Sequence, residues 1–194
     1  MFRQSKSRVA SKIVVLAVLC ASTLVGSAEE QSDPWAPIRF LLGTWQGTGT
    51  GFGGESKVRH TYSFVLNGKF IQSSTKAAFK PKQGEEKGEI HEDLGIFSFD
   101  PDRNKLVFRQ FLSEGYVNTY LLADVSAQGK LLTFNTERTE GAGGMRARLV
   151  FRVSGKNEYG LELLLASPGK AFFSCQKLHM KRQKRDYPEP HKTD

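Results

Sequence analysis

The chain is poor in cysteine, has no long apolar run, and shows no stretch with the periodicity of an amphipathic helix. Each absence excludes something. Two cysteines occur in 194 residues, and one of them, Cys20, lies in a leader-like N-terminal segment. Cys175 is then alone and forms no internal disulfide. No clustered His and Cys spacing offers a zinc site. The longest apolar run, Ile13 to Val25, has 13 residues. A helix that crosses a bilayer needs roughly 20, so stable membrane insertion is not expected. No serine sits in a nucleophile elbow, and no glycine-rich phosphate loop leads into a helix. Glu92 and Asp93 are neighbours on a strand-like segment, so they face opposite sides and do not form a catalytic carboxylate pair. No cofactor-independent catalytic motif emerges.

The N-terminus carries Arg3, Lys6, Arg8 and Lys12 without an acid, then the apolar run, then Gly26, Ser27 and Ala28. That order is the pattern of a secretory signal peptide over residues 1–28, cleaved after Ala28. The length of the run favours this over an uncleaved signal anchor. The chain is therefore expected to be exported, to a periplasm or out of the cell. The formal charge of +8 falls to +4 without the leader. Much of the remaining excess lies in "KLHMKRQKR", Lys177 to Arg185. A basic run can touch anionic surfaces. Here it reads as a solvated strand end and tail, and nucleic acid is not an expected partner of an exported chain.

Residues 29–39 read as a linker, with one short helical turn from Pro37 to Leu42, and residues 185–194 as a disordered tail. Between them the chain alternates apolar and polar residues in about ten short segments, separated by turn signals. They are 44–52, 58–66, 69–79, 89–100, 105–112, 116–123, 130–137, 145–153, 158–166 and 170–182. Asn67-Gly68 between the second and third is a strong hairpin signal, because both residues tolerate positive φ. Lys80 to Gly88, "KPKQGEEKG", is a charged loop. Ten antiparallel strands joined by short turns do not stay flat with two bare edges. The expectation is an all-β fold, a single up-and-down antiparallel barrel over residues 40–184 with almost no helix.

The segment "FLLGTWQGTGTGFGG", Phe40 to Gly54, opens this barrel. Trp45 is expected to plug its closed end. Gly47 and Gly49 share one face of the first strand and let it bend or let another group approach its backbone. A barrel of eight strands is nearly filled by its own side chains or holds one small ligand, and ten strands make a wider interior that something must fill. Phe97 and Phe99 share a face, as do Leu161, Leu163 and Leu165. An apolar interior of this kind suits a small hydrophobic ligand. Cys175 reads as a small buried hydrophobe.

Four segments, "FLLGTWQGTGTG", "IHEDLGIFSFD", "KLVFRQFLSEGYV" and "LHMKRQK", resemble the nitrobindin-like haem-binding β-barrels and related lipocalin-like domains of unknown function. The resemblance runs from about Phe40 to Lys184. It implies a ten-stranded barrel holding haem b through a histidine on the last strand. Ferric haem in that family binds nitric oxide and isomerises peroxynitrite. Leu178-His179 resembles the family's Leu-His pair, which makes His179 the expected iron ligand. His91 resembles a histidine near the pocket, and Trp45, Gly47, Gly49, Phe97 and Phe99 are the accompanying candidates. A cofactor-free carrier of a small hydrophobic molecule is the other reading. Strand parity bears on the choice. Phe173, Cys175, Lys177, His179 and Lys181 share one face of the last segment, while Gln176, Leu178 and Met180 share the other. The second set is the better interior, and it turns His179 outward unless a bulge reverses the parity.

Overall fold

The computed structural model describes residues 33–84 and 86–184. The proposed leader and the tail 185–194 lie outside the described residues. A short 3-10 helix, Ala36–Leu41, precedes ten strands: β1 Gly43–Gly51, β2 Ser56–Val65, β3 Phe70–Phe79, β4 Ile90–Asp100, β5 Lys105–Leu112, β6 Val117–Val125, β7 Leu131–Glu140, β8 Arg146–Gly155, β9 Glu158–Ala166 and β10 Phe173–Arg182. Each strand pairs antiparallel with its sequence neighbours, and β1 pairs with β10, so the sheet closes into a barrel. Closure leaves no unpaired strand edge for another chain to join. The Asn67-Gly68 turn has positive φ at both residues, 57° and 77°. Among the described residues, no helix is long and apolar enough to cross a membrane.

Alternation sends one set of side chains inward. On β2 these are Ser56, Val58, His60 and Tyr62, all buried. On β4 Gly95 and Phe97 are buried between residues that face out. The closed end of the barrel is the more densely filled. Trp45 is fully buried there, and its Nε1–H donates to the Leu41 carbonyl at 2.6 Å. Its ring meets Tyr159 edge-on, with centroids 4.7 Å apart. The Arg182 guanidinium lies over the indole, 4.1 Å from the ring centroid. Arg182 also donates to the carbonyls of Phe40, at 2.6 Å, and Leu42. One side chain of the last strand thus ties the chain that enters the first strand to the plug.

The linker read from sequence extends too far. Trp35 and Ile38 are core residues, and the 3-10 helix caps the closed end. Pro37 suits its place in the first turn, where a missing N–H leaves no helix bond unmade. Cys175 is half-buried rather than a core hydrophobe. The register of β10 against β9 skips it, between Ser174 and Gln176, so it is the extra residue of a β-bulge.

The glycines of β1 have a steric reason. A Cβ on Gly47 would stand 1.9 Å from the His179 carbonyl oxygen and 2.8 Å from Met180 Sδ. Gly47 faces Met180 across the β1–β10 seam, so any side chain there pushes the closing strands apart. Gly47→Ala is expected to lower stability by about 3 kcal/mol, the upper part of the overpacking range. For a domain of this size that is roughly a 9 °C fall in the melting midpoint, read by circular dichroism. A fall under 2 °C would show that the seam relaxes without strain.

Candidate functional site

At the end of the barrel opposite the Trp45 plug, the interior encloses a cavity of about 560 Å³. Ligand pockets run from roughly 300 to 1,000 Å³, so this one has room for a small molecule. It reaches the surface where exposed Gly53, Glu89, Glu114 and Tyr116 line it. Its two walls differ in chemistry. Strands β2 to β6 contribute His60, Ser73, Thr75, Asp93, Gln110 and Asn118. Strands β8 to β10 contribute Ala147, Leu149, Leu161, Leu163, Leu165 and Leu178. The floor is aromatic. Phe97 stacks on Phe108 with centroids 4.1 Å apart, and Phe108 stacks on Tyr120 at 5.7 Å.

His60 is the deep polar group. Its Nδ1 lies 2.7 Å from the Tyr159 hydroxyl and 3.2 Å from that of Tyr62. With Nδ1 engaged by two phenols, Nε2 is the nitrogen left for the cavity that His60 lines. Burial penalises the imidazolium and lowers the pKa to about 4, against a smaller opposing pull from Asp93. His60 is therefore neutral near pH 7. Burial likewise raises both phenols above their usual range.

His91 is the opposite case. It sits at the mouth with Nε2 3.8 Å from Asp93 Oδ2 and Nδ1 2.5 Å from Glu114 Oε1. Asp93 raises its pKa most, Glu114 adds to this, burial opposes it, and the result is about 9. The Asp93 side chain is only 6% exposed and Glu114 40%, so the more distant carboxylate acts through less water. His91 is therefore an imidazolium at neutral pH. Ser56 Oγ and Ser73 Oγ are buried without a hydrogen-bond partner, and Ser73 lines the cavity.

The residues expected from sequence separate on this geometry. His91 and Phe97 line the cavity. Trp45 is the plug at the other end, and Phe99 is half-buried against the core without lining the cavity. Gly47 and Gly49 face inward but are occupied: a Cβ on Gly49 would meet Ser56 Oγ at 2.5 Å and Leu178 Cδ2 at 2.7 Å. His179 requires correction. Its side chain is 57% exposed and its Nε2 lies 2.9 Å from Glu158 Oε1, on the outside of the barrel. The bulge at Cys175 lies before it and leaves Gln176, Leu178 and Met180 facing in. Haem b in the cavity with His179 as its ligand does not fit these residues. Among the described residues, no group of three or more His, Cys, Asp or Glu side chains is arranged to hold a metal ion.

The sequence reading singles out neither His60 nor Tyr159, and it takes up Asp93 only to exclude a carboxylate pair with Glu92. The signal for His60 was present in "VRHTYSFVL", because Val58, His60, Tyr62 and Phe64 occupy one face in strict alternation. Asp93 shares a face with His91 and Phe97 by the same count.

No protein-family description matches the chain. No curated protein matches it either. Among solved structures the chain is similar to "Structure of EF1p2_mFAP2b bound to DFHBI", with 11% identity and a TM-score of 0.41 over 78% of this chain and 100% of the other. It is also similar to the crystal structure of Rv2717c from M. tuberculosis, with 14% identity and a TM-score of 0.60 over 79% of this chain and 99% of that one. At that identity what is shared with Rv2717c is the fold alone, in keeping with the closed ten-stranded antiparallel barrel described above.

Proposed function

We propose that this protein is an exported barrel that binds one small, mostly apolar molecule in its interior and carries or stores it. The observation behind this reading is the two-faced cavity. Leucines on β8 to β10 offer a wall that gains from contact with an apolar body. Hydroxyl, amide and carboxylate groups on β2 to β6 face it and would orient a polar end. The plug at one end and the opening at the other suit a ligand that enters and leaves by a single mouth.

The test is titration with the neutral fluorescent probe N-phenyl-1-naphthylamine. The expected result is an emission rise that saturates at one equivalent. Leu163→Trp, which fills the cavity from the leucine wall, is expected to weaken binding by about tenfold or more, on the order of 1.4 kcal/mol. Its circular dichroism spectrum should match that of the wild type. Equal binding by both proteins would remove the cavity as the site. Hemin belongs in the same experiment. A Soret band lost in Leu163→Trp and kept in His179→Ala would put haem in the cavity on a ligand other than His179. A band lost only in His179→Ala would assign haem to the outer surface.

A further inference from the structure

The charge inside the cavity runs against the charge of the whole chain. The protein carries 28 Lys and Arg against 20 Asp and Glu. The charged groups lining the cavity are Glu89, Asp93 and Glu114, with His91 the one cation, and no Lys or Arg among the described residues joins them. Three carboxylates face one imidazolium. That imidazolium is drawn toward the mouth, since Glu114 holds it at 2.5 Å and Asp93 only at 3.8 Å. Asp93 is the deeper acid, with a side chain 6% exposed. At 3.8 Å that ion pair is longer than a hydrogen bond, so this poorly hydrated carboxylate keeps room for a closer donor.

The surrounding groups have the same sense. Thr75 is the cross-strand partner of Asp93 and lines the cavity beside it. Ser73, two residues before Thr75 on the same face, is 2% exposed, and its Oγ has no partner although it lines the cavity. A hydroxyl in this state has acceptor lone pairs to offer a donor. For an anionic head group the lining offers one cation, His91, which already faces Glu114 and Asp93.

From this juxtaposition we propose that the ligand is an apolar molecule bearing a cationic nitrogen, a protonated amine or amidinium. The nitrogen seats on Asp93, its N–H groups reach Ser73 and Thr75, and the apolar body lies against Leu149, Leu161, Leu163 and Leu165. This inference rests on the cavity being a binding site, as proposed above, and narrows what it takes.

Three naphthalene compounds of nearly one shape test it by calorimetry at pH 7: 1-naphthylmethylamine, 1-naphthylmethanol and 1-naphthylacetate. The amine is expected to bind the wild type about tenfold more tightly than the alcohol, and the acetate more weakly than either. Asp93→Asn is expected to bring the amine to the level of the alcohol in that variant. Equal affinity of amine and alcohol for the wild type, a comparison that needs no variant, would overturn the inference, and so would a preference that survives in Asp93→Asn. In both cases alcohol binding lost in Leu163→Trp would leave the cavity reading standing. Failure of all three compounds and of the neutral probe to bind would sink both readings.

Discussion

Replacing Trp45 with alanine is expected to lower the stability of the barrel by about 4 kcal/mol, within the range for emptying a large aromatic from a core. The indole is fully buried and contributes more than its area. Its N–H satisfies the Leu41 carbonyl, and its ring packs against Tyr159 and Arg182. Without the ring, Arg182 loses its stacking surface and the 3-10 helix loses its anchor. Trp45→Phe separates these contributions. It keeps an aromatic ring but strands the Leu41 carbonyl, which costs about 1–2 kcal/mol. Urea unfolding at pH 7 reads both. A loss below 1 kcal/mol in Trp45→Ala would mean that the closed end does not depend on its plug.

The second large effect is acid destabilisation centred on His60. Its folded pKa is lowered to about 4, while an unfolded histidine titrates near 6.5. Between these values the unfolded chain binds a proton that the folded chain refuses. Stability is therefore fully present above about pH 6.5 and is lost as pH falls toward 4. The loss from this one residue is roughly 3 kcal/mol, at about 1.4 kcal/mol per pH unit. His60→Gln has no such proton to take up, so its stability curve should be flatter across that window. Urea midpoints at pH 4.5 and 6.5 for both proteins decide the matter, and parallel falls would clear His60. His91 acts on the other side. Its raised pKa makes its contribution complete below about pH 6.5 and lost as pH climbs through about 9. The two histidines bracket a stability maximum near pH 6.5 from opposite directions.

The fold was legible in the sequence because a barrel is written in period two. Most strands bury every second residue, β5 and β8 excepted with three buried in a row, and the turns between strands carry Gly, Asn, Asp or Pro, so the expected strand ends lie within a few residues of those observed. The site was less legible, for two physical reasons. Local parity assigns a face but cannot say which face encloses a cavity. Only the leucine wall across the barrel shows that His60 and Asp93 look into space while Trp45 looks into filled core. Short motifs also mislead when the pattern around them is ignored. The Leu178-His179 pair suggested an iron ligand, yet Lys177 and Lys181 share the histidine's face and belong outside. Arg182 shows the reverse error. In a basic run it read as solvated, but its stacking on Trp45 and its bonds to the Phe40 and Leu42 carbonyls depend on residues some 140 positions away. The linker was overextended because Pro34 and Pro37 flank Trp35, and prolines beside a lone aromatic give no periodicity to read.

The seam between β1 and β10 sets the order in which this molecule comes into being. Residues 45–51 wait for residues 176–182, the last strand to be synthesised. Until that strand arrives the sheet is an open ribbon, its Trp45 end unclamped and its interior continuous with water. Such distant pairing is slow to form, since a long loop must close before the contact is gained. The cavity therefore has no partial existence. A closed interior requires the β1–β10 seam, so occupancy of the interior doubles as a report that the first and last strands of the barrel have met.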